Sequence, residues 1–474
     1  MRHFHFETLN EIRREAAAAG ARHVEFLEDP QAVRAALSQK VPVGGMAVGN
    51  ALAIHPMEGC DSDAEGRPSE LTWRRYQRFA RGGAKLIWFE ATAVCREGRA
   101  NPRQLWIHRG SQAEIARLVE MVRTTHREAC GTDSDLLMPV QLTHSGRFSW
   151  PERIIAVHNP LVDMKTGTSA DLPAISDDEL ERLEDRFVEA ARLAFDTGFT
   201  AVDVKATHGY LAFELLGAKT RAGRYGGPLE NRARFVRNII GKIRAKFGRR
   251  MTIAMRLGCY EGLPYVRDAA TGIGVPMDYA VPYEYGFGTD AADPHAIDMA
   301  EVKRAVGWFL EDGVELLSVS LGVPYFNPHI GRPFEKPDEG NYEQPEHPLT
   351  GVDRHFYVTG ELQRAFPHVP MVGAGYSWLQ KFAVNAGAYN VQTGAARFFG
   401  MGRNALANPE FARDALETGA LSERRVCKTL TYCSYLMRQK NHPLGQFPTG
   451  CPPFDKEGYG QIMKAARDAA RGPK

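Results

Sequence analysis

Lys205, His208 and Tyr210 stand close together directly after an apolar run, 199–204, that reads as a β-strand. An amine, an imidazole and a phenol at a strand end can hold an anion, donate to a carbonyl, pass a proton or form a Schiff base. Gly209 breaks the strand direction between the last two. Further on, Arg224-Tyr225-Gly226-Gly227-Pro228-Leu229-Glu230-Asn231-Arg232 adds a second polar and glycine-rich cluster. The same residues would suit a solvated surface loop, so the elements around them must decide.

Those elements alternate. Apolar runs at 51–57, 85–91, 136–142, 199–205, 251–256, 314–320, 369–373 and 398–401 read as strands. Helical patterns follow each of them, at 70–80, 112–130, 176–198, 230–247, 298–311, 353–366, 377–386 and 408–417. Ser176 and Glu179 form a capping box at the start of the third helix, and Gly198 stops it. The strands are nearly continuous in apolar residues, as parallel strands covered on both faces must be. Eight β/α units predict a TIM barrel, an α/β fold. No Gly-x-Gly-x-x-Gly turn follows the first strand, which argues against a Rossmann sheet. Residues 1–40 read as an N-terminal extension of two helices, around 9–19 and 30–38. Residues 41–48 read as a hairpin turning at Gly44 and Gly45. The barrel is expected over 41–417 and a C-terminal extension over 418–474.

Three connections are long, 143–175, 257–297 and 321–352, and all follow strands. They therefore belong at the C-terminal mouth, where this fold builds its sites. The second carries Tyr260, Tyr265, Tyr279, Tyr283, Tyr285 and Phe287. Such a loop can cover a flat substrate or serve contact between copies in a homo-oligomer. Polar groups also end the strands: Glu58 and Cys60, Thr92, Gln141 and His144, Arg256, then Gly373-Ala374-Gly375 and Gly400-Met401-Gly402-Arg403. Glycines after the last two strands, ahead of a helix, form a backbone nest for phosphate. A phosphate nest, the Gln141 amide and the Arg256 cation are the groups a flavin mononucleotide needs.

Composition narrows the class. Lys and Arg number 59 against 57 Asp and Glu, a net of +2, which argues for neither nucleic acid nor an anionic membrane as partner. No apolar run is long enough to span a bilayer, and the polar start has no signal-peptide core. A cytoplasmic protein is expected. The seven cysteines are scattered except Cys427, Cys433 and Cys451, as reduced residues of a cytoplasmic chain would be.

In this order, seven segments carry a pattern: Ala53-Ile54-His55-Pro56-Met57-Glu58; Arg75-Tyr76 with the run 82–91; Gln141-Leu142-Thr143-His144-Ser145-Gly146-Arg147; His208-Gly209-Tyr210-Leu211; Tyr225 to Arg232; Val372-Gly373-Ala374-Gly375; and Gly400 to Pro409. Over about 43–415 the chain resembles the Old Yellow Enzyme family of FMN-dependent oxidoreductases. The resemblance implies FMN on a TIM barrel, reduction by NAD(P)H, and hydride delivery to an activated carbon–carbon double bond, an ene-reductase-like activity. It implies cofactor contacts from Pro56, Met57, Glu58, Ala91, Gln141 and Arg256, and from Gly373, Gly375, Gly402 and Arg403 near the phosphate. It implies His208 as a donor to the substrate's activating group and Tyr210 as proton donor. Lys205 stands where the family has a histidine, and Glu58 where it more often has Thr or Cys. Lys205 could pair with Glu58 or with a substrate carboxylate, so a flat substrate activated by a carbonyl or carboxyl group is expected.

The extension resembles that of larger relatives, akin to 2,4-dienoyl-CoA reductase and trimethylamine dehydrogenase, that carry a four-iron cluster on four cysteines. Cys427, Cys433 and Cys451 match. Leu430 occupies the remaining position, with His442 as a substitute ligand. A [4Fe-4S] cluster wants four thiolates, so none is expected. The flavodoxin-like and nucleotide-binding domains of those relatives have no counterpart before Lys474, and free NAD(P)H or a protein donor is the expected electron source. Three other readings stay open at this stage. One is a flavin-dependent dehydrogenase or demethylase. Another is a Schiff-base lyase, isomerase or aldolase using Lys205. The third is a non-catalytic binding barrel.

Overall fold

The computed structural model describes residues 3–439 and 441–471. The outermost residues of the expected N- and C-terminal extensions, 1–2 and 472–474, lie outside the described residues. The core is a parallel barrel of β1 (Leu52–Ile54), β2 (Leu86–Ile87 and Phe89–Ala93), β3 (Pro139–Thr143), β4 (Ala201–Val204), β5 (Thr252–Gly258), β6 (Leu316–Ser320), β7 (Met371–Gly373) and β8 (Phe398–Met401). Every neighbouring pair is parallel, and β8 returns to β1 through Gly400 opposite Ala53. The second strand breaks at Trp88: its first half pairs with β1 and its second with β3. That split lets one strand close the ring, and the indole Nε1 spends the break by donating to Asp203 at 3.0 Å.

The strands are buried throughout, apart from two half-buried positions in β5. This is the consequence of helices outside and packed side chains inside the barrel. Local chemistry sets the helix starts. Ser176 accepts from Glu179 N and Glu179 reaches back, a closed capping box. Asp298 caps Met299–Asp312 through the N–H groups of Ala300 and Glu301. Gly131, at φ +80°, ends Gln112–Cys130 in the left-handed region.

Three helices differ from the sequence reading. The helix after β6 begins at Pro348 rather than 353, because His347 caps it and a proline suits the first helical position. The expected helix at 377–386 is a 3₁₀ segment, Tyr376–Phe382, continued by Ala383–Gln392. The last, expected over 408–417, spans Phe411–Thr418, and a short helix outside that range, Arg403–Ala407, precedes it; Pro409 between the two cannot continue a helical hydrogen-bond ladder.

Both ends of the chain join the barrel. Phe4 packs edge-on against Trp378, and its N–H donates to Glu335. The helices Leu9–Ala18 and Pro30–Leu37 and the hairpin of Val41–Val43 with Met46–Val48 bury residues in the same core. In the C-terminal part, Tyr435, Leu436, Phe447, Tyr459, Met463 and Ala466 form a smaller cluster. Asp455 pairs with Arg74 and Arg78, and Thr449 N donates to Gly59 O at 2.6 Å. These residues thus hold both the loop that follows β1 and the helix Glu70–Arg81 after it. Among the described residues, no helix is long and apolar enough to cross a membrane.

Candidate active site

The strand ends and the long connections enclose a cavity of about 850 Å³ at the C-terminal mouth. Its base is organised by Asp203 of β4, a fully buried carboxylate that sequence reasoning missed. It accepts from Gln141 Nε2 at 2.6 Å, from Trp88 Nε1 at 3.0 Å and from the Arg256 N–H at 2.8 Å. Burial raises its pKa to about 6 against those donors. One acid therefore fixes both the amide of β3 and the backbone of β5. Arg256 reaches across to the carbonyl of Pro56 at 3.2 Å, while its Nε is buried without a partner. His55 closes the base between β1 and β7, facing Gly373 O at 3.1 Å from Nε2. Burial and Arg256 hold it neutral, with a pKa near 3, so Nε2–H donates to that carbonyl.

The loop after β1 presents Pro56, Met57 and Glu58 to the cavity. It is anchored by a buried network: Glu90 accepts from Gly59 N at 2.7 Å, and Arg75 bridges Glu90 and Asp61. Gly375, at φ +90°, ends the β7 turn. A Cβ there would meet His355 at 2.9 Å, so the turn requires glycine. Gly402 and Arg403 follow β8. Arg403 donates Nη2 to Pro333 O at 2.7 Å, while Nη1 is buried without a partner.

Lys205, His208 and Tyr210 meet in the same cavity. Glu58 Oε1 lies 3.0 Å from the Tyr210 hydroxyl and 3.4 Å from Lys205 Nζ. The ammonium also sits 3.7 Å above the Tyr210 ring, a cation–π contact. Of the pairings the sequence left open for Lys205, the free protein forms the one with Glu58. Burial lowers the Lys205 pKa to about 8, opposed by Glu58. His208 adopts φ +66°, in the left-handed region that few non-glycine residues occupy. Burial first, then Arg256 and Lys205, push its pKa well below the ordinary value, so it is a neutral imidazole. Tyr325, from the connection after β6, adds a second phenol. Its hydroxyl is 3.1 Å from that of Tyr210, and its ring stacks on Phe148 at 3.9 Å. Tyr210 has one hydroxyl proton, directed at Glu58, so Tyr325 is the donor to the Tyr210 oxygen.

Ala91 and Gly373 stand off the cavity wall. Ala91 gives its carbonyl to Gln104 Nε2 at 3.2 Å, and the Tyr376 hydroxyl fills the space where a Cβ of Gly373 would lie. Tyr325, Phe148, Arg332 and Arg438 are wall residues the sequence reading did not name. Each lies on a long connection or on the C-terminal extension, where neither period nor motif marks orientation.

Cys433 lines the cavity, whereas Cys427 is buried behind it, its N–H bonded to Asn404 Oδ1 at 2.9 Å. After burial and the opposing pull of Arg403, Cys433 raises the Cys427 pKa further, so the thiols are neighbours. Among the described residues, no three His, Cys, Asp or Glu side chains are arranged to hold a metal ion. His442 packs edge-on against Phe447 and faces Arg103.

The sequence model of the NADH:flavin oxidoreductase / NADH oxidase family matches residues 37–274. An NADH:flavin oxidoreductase of Gibberella zeae is 26% identical over 282 residues, covering 54% of this chain and 65% of the relative. Among solved structures, a 2-naphthoyl-CoA reductase complex aligns with TM-score 0.66 at 16% identity, over 91% of this chain and 58% of that one. The Old Yellow Enzyme homologue of Zymomonas mobilis aligns with TM-score 0.56 at 20% identity, over 83% and 96%. The chain thus spans less than two thirds of the length of the first two. At these identities the structural likenesses speak for the TIM-barrel fold.

Proposed function

Because the chain belongs to the NADH:flavin oxidoreductase / NADH oxidase family, we propose that it is an FMN-dependent oxidoreductase that uses NAD(P)H to reduce an activated carbon–carbon double bond. The observation that carries this reading is the Glu58–Tyr210–Tyr325 chain of hydrogen bonds on a cavity where the guanidinium groups of Arg256 and Arg403 are incompletely partnered. Buried donors without partners are costly and mark where a ligand's acceptors belong. Arg256 Nε and Arg403 Nη1 therefore fit FMN, the first beside the isoalloxazine and the second at the phosphate. Gln141, Pro56 and Met57 would complete the ring site, with Ala91 and Gly373 behind it, and Gly375 and Gly402 would bring backbone to the phosphate. Bound FMN would supply the two-electron carrier between nicotinamide and substrate.

The chain's own residues supply the rest. Arg256 keeps its charge, since even after burial its pKa is about 10, and it would favour negative charge on the ring. His208, neutral, would donate a hydrogen bond to the substrate's carbonyl rather than a proton. Tyr210 would give its proton to the carbon that becomes carbanionic. The phenolate left behind would be stabilised by the Tyr325 hydroxyl and by the Lys205 ammonium over its ring. A pKa near 8 would also suit Lys205 to Schiff-base chemistry, but its Nζ is engaged by Glu58 and Tyr210, and family membership favours the flavin.

The test is anaerobic. Protein loaded with FMN should bleach with NADH or NADPH and regain its colour with an α,β-unsaturated aldehyde or ketone. Arg403→Ala should weaken FMN retention by about tenfold or more, the usual size of a charged hydrogen-bond contribution. Absence of bleaching by either nucleotide, or bleaching by amines and alcohols with no reoxidation by enones, would overturn the reading.

A further inference from the structure

The cavity wall carries more positive charge than the proposed flavin needs. Eight cationic side chains line it, and Glu58 is the lone carboxylate among the lining residues. Arg147 is held by Glu214 and Asp163, and Lys205 by Glu58. Arg256 and Arg403 are the two assigned to FMN. Arg153 donates to Gly167 O at 2.8 Å from the rim. Three remain: Lys165, Arg332 and Arg438.

They come from three separate parts of the chain. Lys165 lies on the helix Pro160–Thr166 after β3. Arg332 follows the short helix Pro328–Gly331 after β6. Arg438 ends the helix Tyr432–Arg438 of the C-terminal extension. Their counter-charge is slight. Arg438 pairs with Asp338, Arg332 reaches only the neutral Ser434 hydroxyl while its Nε is buried without a partner, and among the described residues Lys165 has no ion pair. The three act on one another: beyond burial, Arg332 lowers the pKa of Arg438, and Arg438 that of Lys165. Like charges gathered from distant segments, with one carboxylate between them, destabilise the free protein unless an anion offsets them. The group also adjoins Tyr325 and His208, since Arg438 acts on the first and Arg332 on the second.

We propose that Lys165, Arg332 and Arg438 form an anion subsite that grips a phosphoryl or carboxylate group of the molecule lying against Tyr210 and Tyr325. This rests on the flavin reading for the placement of that molecule. Two sources share the chemistry: the diphosphate of NAD(P)H and an acid group on the oxidising substrate. The C-terminal extension thereby becomes part of the ligand site through Arg438.

The experiment uses the FMN-loaded protein and three probes: NADH, cinnamaldehyde and 4-carboxycinnamaldehyde. Calorimetry gives the affinities of the two aldehydes for oxidised protein, and the concentration dependence of anaerobic bleaching gives that of NADH. The variants are Arg438→Gln and Lys165→Gln. Lys165 is exposed, so the second variant keeps the proposal testable should the first fail to fold. Either the preference for the carboxylated aldehyde or the NADH affinity should fall roughly tenfold, the size expected for one charge-assisted contact. The effect should also shrink as salt is raised. Loss confined to the aldehyde preference assigns the subsite to the substrate, and loss confined to NADH assigns it to the nucleotide. If neither quantity moves in either variant, the subsite does not exist. Failure of the aldehydes to reoxidise the flavin would instead count against the proposed reaction, because the binding ratios are read without turnover.

Discussion

Replacing Tyr210 by phenylalanine removes one oxygen from the centre of the Glu58–Tyr210–Tyr325 chain and leaves a nearly isosteric ring. Two hydrogen bonds go, 3.0 Å to Glu58 and 3.1 Å from Tyr325. Glu58 keeps Lys205 at 3.4 Å, and the ring can keep its contact with the ammonium. The carboxylate is therefore not stranded, and the stability cost should stay near about 1–2 kcal/mol. The chemical cost is larger. A general acid typically contributes roughly 10²–10⁴-fold, about 3–5 kcal/mol of barrier. Flavin reduction by NAD(P)H needs no such acid and should proceed as before. Reoxidation by an enone should slow at least a hundredfold. His208→Ala should differ by weakening enone binding as well, since it removes a donor from the activating group. Anaerobic stopped-flow absorbance, following the flavin in each half-reaction separately, reads both effects. Reoxidation of Tyr210→Phe at the wild-type rate would refute the assignment and leave Lys205 or water as the proton source.

Four further outcomes are expected. The ammonium of Lys205 is present below its pKa of about 8, so reoxidation rates should fall as pH rises through that value, and Lys205→Met should flatten this limb. Stability should move the other way: between about 8 and the unfolded value of 10.5 the unfolded chain holds the proton that the folded one has lost, so urea midpoints should rise over that interval. Asp203→Asn replaces an acceptor of three donors by a group with one acceptor oxygen, and should weaken FMN affinity by roughly tenfold through Gln141 and Arg256, measurable by fluorescence of released flavin. With Leu430 in one cysteine position, iron and sulfide after anaerobic purification should be far below four per chain, and a stoichiometric content would disprove this.

How far the sequence could be read depends on the physical signal at each place. The barrel strands declared themselves because burial on both faces leaves long apolar runs, and Asp298 and the Ser176–Glu179 box marked helix starts by their own capping chemistry. The break at Trp88 left no such mark, since a tryptophan inside an apolar run looks like any other core residue until its Nε1 is seen on Asp203. Asp203 went unmarked inside a run read as apolar, though the structure turns it inward under three donors. Tyr325 and Arg438 were invisible for a different reason. Their partners, Tyr210 and Asp338, lie far away along the chain; Tyr325 stands on a connection that carries no period, and Arg438 ends a seven-residue helix too short to declare a facing side. That Lys205, His208, Tyr210, Gly375 and Gly402 share one cavity was legible because all of them follow strand ends.

Glu58 and Lys205, the two departures from the pattern of Old Yellow Enzymes, make sense only together. A lone carboxylate with 11% side-chain exposure would oppose negative charge on any flavin nearby, and a lone ammonium with 2% would be driven towards its neutral form. As a pair at 3.4 Å they cancel at distance while keeping separate local effects. In the proposed reaction Glu58 would orient the Tyr210 hydroxyl, and Lys205, over the ring, would meet the charge left when the proton departs. Exchanging one member alone should therefore damage the site more than exchanging both. In a cycle of Glu58→Gln, Lys205→Met and the double variant, the double should reoxidise faster than either single. If instead the losses simply add, the two charges act independently and the pairing carries no function.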